Sequence, residues 1–257
     1  MNLPRTMTLG SLLSLAVGPS GRPAVAQAIA DNSFLMEEAY NQEAGVVQHI
    51  SSWQRSLNSS AWAFSFTQEW PIGAQTHQLS YTILLLHTES PASTGLGDVA
   101  LNYRYQLLAN RRVAIAPRVS LLVPTGSVAR RLGTGHVGAQ LNVPVSVSLG
   151  PAFVTHWNAG VTALSPQQTV YNAGASAIWL ARETFNVMLE VVWARGNDGG
   201  ELFLVNPAIR WAHNFASGLQ IVPGVAFPCG VGASAGARGA FLYLSFEHRF
   251  RSENRRD

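Results

Sequence analysis

The chain has 257 residues, of which 47% are hydrophobic and only 12% charged, with a formal net charge of +3. Soluble domains usually carry about 25% charged residues, so an ordinary solvated surface is a poor fit. All 17 basic residues are arginines, scattered without a basic stripe or interleaved aromatics, which argues against a nucleic-acid interface.

Residues 1–28 have the parts of a secretory signal: Arg5, an apolar run from Met7 to Val17, and the small residues Ala24-Val25-Ala26-Gln27-Ala28, with cleavage after Ala28 or Ala26. The apolar run is too short to span a bilayer as a helix, and no later run of about 18 apolar residues follows. Export without a helical anchor points to the bacterial cell outer membrane. In the segment 29–44, the stretch from Ser33 to Glu43 has good helix formers, Ser33 as a candidate N-cap and acidic first turns. It predicts a short helix that lies in the periplasm or plugs a lumen.

From Gly45 to Phe250 a two-residue rhythm restarts again and again. Between His136 and Leu149, Val137, Ala139, Leu141, Val143, Val145, Val147 and Leu149 alternate with His136, Gly138, Gln140, Asn142, Pro144, Ser146 and Ser148. Strand side chains alternate faces, so this run needs an apolar environment on one side and a wet one on the other. It exceeds the usual globular strand of about 5–6 residues. A tilted crossing of a bilayer needs roughly 9–11 residues, which the run supplies. Twelve such strands are expected, at 45–54, 60–71, 77–88, 96–108, 112–123, 136–149, 152–164, 169–181, 184–194, 201–212, 218–228 and 239–250. Ten and fourteen are the neighbouring counts.

The connections agree with an antiparallel transmembrane β-barrel over 45–250, followed by a polar tail at 251–257. Counted from a periplasmic start, the inner turns near Gly73-Ala74, Ala109-Asn110, Gly150-Pro151, Arg182-Glu183 and Asn214-Phe215 are all short. The longer, polar or glycine-rich stretches Pro124 to Gly135, Ala194 to Gly200 and Pro228 to Arg238 fall on the outer side, as bacterial barrels require. Trp62, Trp70, Trp157, Trp179, Trp193 and Trp211 lie mostly near strand ends on the apolar parity, where headgroup-level belts form.

Several blocks resemble a known family. They are Phe34-Leu35-Met36-Glu37-Glu38-Ala39-Tyr40-Asn41-Gln42-Glu43 with Gly45-Val46-Val47-Gln48-His49-Ile50, Gly95-Leu96-Gly97-Asp98 with Tyr103-Arg104-Tyr105, Leu122-Val123-Pro124-Thr125-Gly126, and Gln220-Ile221-Val222-Pro223-Gly224. Together they cover nearly all of the chain after the signal. It resembles the outer-membrane transporter-like family named for the meta-pathway of phenol degradation. The resemblance implies an outer-membrane barrel linked to uptake around aromatic catabolism, with no catalytic motif to carry over. The tail departs from the habit of barrels that end on an aromatic residue, so Phe250 would serve from an internal position.

Parity points Glu69, Asp98, Arg104, Arg118, Glu190, Arg210, Glu247 and Arg249 into the lumen, with polar Gln140, Asn142, His156, Asn158, Asn206 and Gln220. Opposed charges at a constriction can select permeants, although in a narrow barrel they can equally satisfy one another. Two motifs fail for lack of context. Gly232-Ala233-Ser234-Ala235-Gly236 matches a nucleophile elbow but no helix is expected after it. Gly133-Thr134-Gly135-His136-Val137-Gly138 matches a dinucleotide fingerprint but runs into the strongest strand. Cys229 alone offers neither a disulfide within the chain nor a metal set, and the seven histidines show no paired ligand spacing, so no cofactor is expected.

The expected function is an outer-membrane channel for small, hydrophobic or aromatic molecules, not an enzyme. Its expected partners are membrane lipids, the permeant and the outer-membrane assembly machinery, with no nucleic acid. Two other readings stand beside it. One is a barrel enzyme acting on lipids or esters through His156 with Ser146 or Ser148; the other is a structural barrel with a closed lumen.

Overall fold

The computed structural model describes residues 32–165, 168–215 and 219–249. The expected signal peptide, Phe250 and the tail 251–257 lie outside the described residues, as does the side chain of Arg249.

Twelve antiparallel staves close into one barrel. They are β1 (Val46–Ser56), β2 (Trp62–Ile72), β3 (Ala74–Glu89), β4 (Ala92–Leu96, Val99–Tyr105 and Leu108–Ala109), β5 (Val113–Ile115 and Arg118–Val123) and β6 (Gly138–Ser148). Then come β7 (Phe153–Ser165), β8 (Gln168–Arg182), β9 (Phe185–Gly196), β10 (Glu201–Trp211 and His213–Asn214), β11 (Gln220–Ala226 and Cys229–Gly230) and β12 (Gly239–Arg249). Each stave pairs with its sequence neighbours, and β12 returns to β1 in register from Val46↔Arg249 to Ser56↔Gly239. Closure leaves no edge, which is what lets a sheet sit in hydrocarbon.

Proline marks two of the interruptions. Pro117 divides β5, and Pro228 lies between the pieces of β11. Neither residue can donate to a ladder. The short turns are set locally: Gly73 takes φ 73° between β2 and β3, a left-handed value that glycine adopts without a steric penalty. Asn110 Oδ1 accepts the backbone N–H groups of Arg112 and Val113, tying the turn between β4 and β5.

The alternation of each stave is inverted relative to a soluble protein. Leu141 and Leu189 are 44% and 48% exposed on the outer wall, while Asn142 and Glu190, the next residues along the chain, are 0% exposed. Trp157, Trp179 and Trp211 also face outward, and Trp62 stacks on His87 across β2 and β3. An apolar exterior around a polar interior is the pattern of a barrel in a bilayer.

Residues 32–43 differ from their helical expectation. They form bends with no helical turn, and Asn32, Ser33, Phe34, Met36, Glu37, Glu38, Ala39, Asn41 and Gln42 are buried. The physical reason lies in the backbone partners. A helix would satisfy its own N–H groups; here the barrel wall satisfies several of them with side chains, so the segment needs no helix inside the lumen.

The outward face generates one prediction. Val143 is outward-facing at the middle of β6. Val143→Arg should lower unfolding stability in lipid vesicles by about 2–4 kcal/mol, the usual midplane cost for arginine. Denaturant titration followed by tryptophan fluorescence measures it.

Candidate functional site: the occupied lumen

The interior has two sectors of different chemistry. On β1 and β8 to β12, the inward residues Ile50, Ile178, Met188, Ala208, Val222, Phe241 and Tyr243 form an apolar cluster around Phe34. The Phe34 ring stacks on Phe241 and Tyr243 at centroid separations of 5.3 and 4.9 Å. Two glycines make room for the segment. A Cβ at Gly224 would lie 2.3 Å from Phe34 Cζ, and one at Gly174 would lie 2.6 Å from Met36 Sδ.

On β3 to β7 the interior is polar and charged. Glu37 enters it with its side chain fully buried and meets two arginines. Arg118 Nε donates to both carboxylate oxygens at 3.0 and 2.9 Å, and its Nη2 donates to Oε1. Arg104 Nη2 donates to Oε2 at 3.0 Å, and Asn142 Nδ2 to Oε1 at 2.8 Å. A buried carboxylate is tolerable when opposite charge and hydrogen bonds compensate its lost hydration. Removing one partner of such a cluster costs about 3–5 kcal/mol.

The rest of the segment is stitched to wall side chains. Glu190 Oε1 accepts the N–H groups of Phe34, Leu35 and Met36 at 2.9, 2.7 and 3.1 Å, while its Oε2 accepts from Asn206 Nδ2. Asn158 accepts the Glu37 N–H and donates to the Glu37 carbonyl. Ser146 Oγ accepts the Ala39 N–H at 2.8 Å, Gln106 Oε1 that of Asn41, and Gln78 Oε1 that of Gln42. Gln106 Nε2 and Arg104 Nη1 return bonds to the Ala39 and Tyr40 carbonyls.

The residues singled out by parity therefore divide by role. Arg104, Arg118 and Asn142 converge on Glu37, and Gln140 braces Arg118. Glu190 holds the segment's backbone, and buried Glu69 accepts from Gln78 Nε2. Buried Arg210 and half-buried Glu247 line a small crevice with Asn32, Gln48 and Gln220. Asp98 stands apart: its carboxylate accepts the N–H groups of Gly126 and Thr134, and the Thr134 hydroxyl. With Thr125 Oγ1 donating to the Gly97 carbonyl at 2.8 Å, it clasps the 124–135 loop onto β4.

The hydrolase ingredients come together as well. His156 Nδ1 and Ser146 Oγ are 2.7 Å apart and both residues are fully buried. That serine already receives the Ala39 N–H, so in this arrangement the pair fastens the segment. Ser234 of the elbow-like motif sits in the three-residue 3-10 turn Gly232–Ser234 and accepts the Phe203 N–H at 3.0 Å. Cys229 is half-exposed in the second piece of β11.

Sequence reasoning missed Glu37, Phe34, Phe241 and Tyr243. One signal was available: the segment carries Glu37, Glu38 and Glu43 with no basic residue, opposite a wall whose parity turns Arg104, Arg118, Arg210 and Arg249 inward.

No family model matches the chain, and no curated protein matches it. Among solved structures, an outer membrane channel from Pseudomonas putida F1 is similar with a TM-score of 0.59 at 14% identity, over 82% of this chain and 98% of that one. The NanC porin gives 0.56 at 7% identity over 79% and 100%, and the KdgM porin 0.54 at 8% over 79% and 99%. The barrel thus has the fold of outer-membrane porins and channels.

Gly224 provides a test of how the segment is seated. In a Cys229→Ser background, Ala39→Cys should resist a water-soluble maleimide, because Ala39 is fully buried. Adding Gly224→Val should expose it to rapid labelling while the folded barrel persists, read as heat-modifiable migration on gels.

Proposed function

We propose that this chain is an outer-membrane channel for small apolar or aromatic molecules, closed at rest by residues 32–43. The carrying observation is the Phe34 ring held against Phe241 and Tyr243 in a glycine-backed slot, inside a wall whose other sector is polar. A slot of that shape takes a flat ring, and a segment that lies outside the β-ladders can leave without breaking them. The blocks quoted above, read with the fold, support membership of the family named for the phenol meta-pathway. Lipids against the apolar wall, a small permeant and the outer-membrane insertion machinery are the partners this reading requires.

The channel works by exclusion and guidance. The lumen selects by its width, the ring slot and the field of Arg104 and Arg118, with no covalent step. Opening consists of exchange: wall donors and acceptors now bound to the segment pass to water or permeant.

Planar bilayer recordings test the proposal. The parent should conduct rarely or not at all, and a variant lacking 32–43 should give stable open-channel currents and admit phenol into proteoliposomes. A deletion variant that migrates as a folded barrel yet passes neither ions nor phenol would refute it.

A further inference from the structure

We infer that Arg104, Arg118 and Asn142 form a carboxylate-binding site for permeant organic acids, which the segment's own Glu37 fills as a resident stand-in. This deepens the channel reading and rests on it.

The first argument is the donor set. Arg118 presents Nε and Nη2 side by side, the fork that matches the two oxygens of a carboxylate. Arg104 and Asn142 add one donor to each oxygen, so the group is held from three staves, β4, β5 and β6. The occupant comes from a segment that is not part of the wall.

The second argument is that the wall braces two of these donors, Arg118 and Asn142, independently of Glu37. Arg118 Nη1 donates to Asn102 Oδ1 at 3.0 Å and to Ser120 Oγ, and its Nη2 donates to Gln140 Oε1 at 2.7 Å. Behind them, Asn102 Nδ2 bonds Ser80 Oγ, Gln140 Nε2 bonds Thr162 Oγ1, and Asn142 Nδ2 bonds Asn158 Oδ1. The belt crosses β3, β4, β5, β6 and β7 through the strand registers. A site whose donors are fixed beforehand binds without the entropy cost of assembling them.

The third argument is unmet capacity. Arg104 Nε and Asn142 Oδ1 are buried and have no hydrogen-bond partner among the described residues. Arg104 as a whole is 2% exposed. Buried donors and acceptors rarely stay unpartnered, so Glu37 leaves hydrogen-bonding capacity that a differently shaped acid could use. Glu69, a wall carboxylate in the field of these arginines, is hydrogen-bonded to Gln78. With Glu37 withdrawn, the two guanidiniums lose the carboxylate they now bond directly. Because Phe34 precedes Glu37 by three residues, a ring and a carboxylate are imprinted on neighbouring parts of one lumen.

The experiment is calorimetric titration of detergent-solubilised protein with sodium benzoate, with benzamide as the uncharged counterpart and inorganic phosphate as the competing anion. Parent protein should show weak or no heat. Glu37→Ala should bind benzoate and not benzamide, and adding Arg118→Gln should weaken benzoate at least about tenfold, the worth of one charge-assisted hydrogen bond or more. Equal binding of benzamide, preference for phosphate, or indifference to Arg118→Gln would overturn the site. If Glu37→Ala does not fold, Glu37→Gln and the variant lacking 32–43 give the same readout. Binding in detergent requires no conduction, so a failed site and a failed channel are distinguished by comparison with the bilayer currents.

Discussion

A peptide group shut away from water must find a partner, and this molecule meets that demand twice by different means. In the wall the answer is the ladder, carried all the way round until β12 meets β1 along eleven residue pairs. Inside the wall no strand position is vacant, so residues 32–43 cannot join a ladder. Their backbone is served instead by carboxylate, amide and hydroxyl side chains of the inward parity. This explains why that parity is so rich in Asn, Gln, Ser and Thr: these side chains act as backbone substitutes.

The same alternation that greases the exterior sorts the interior. Each stave can show only one of its two faces to the lumen, and what it shows differs around the circumference. Phe241, Tyr243 and Val222 make one sector apolar, whereas Arg104, Arg118 and Asn142 make the other cationic and polar. A chain passing between them gains by alternating its own chemistry, as Phe34 and Glu37 do. The low effective dielectric of such an interior strengthens the Glu37 pairing and makes its loss costly.

Much of this was legible in the residues, because period-two alternation reports a two-faced environment directly. All twelve staves lie within a few residues of the spans expected from the pattern, and the long connections fall on one side. The polar parity was equally readable, and Arg104, Arg118, Asn142 and Glu190 stand on it. What alternation cannot show is occupancy. Helix propensity misjudged 33–43, since an intrinsic preference is overridden when a wall supplies better-placed acceptors such as Glu190. Nor does parity distinguish residues deep in the lumen from those at its rim. Asp98 shares a face with Arg104, yet it braces an outer loop whose Gly126 and Gly133 have no room for a side chain.

The distance along the chain between the segment and its anchors has a consequence for biogenesis. Residues 32–43 are synthesised before every stave, but their fastenings lie 36 residues on at Gln78, 107 on at Ser146 and 156 on at Glu190. The innermost piece is therefore the first made and the last completed. Until β9 is in place, Phe34, Leu35 and Met36 lack the carboxylate that collects their amides, and until β12 is in place the Phe34 ring lacks Phe241 and Tyr243. The lining is therefore complete only once the ring of staves has been joined.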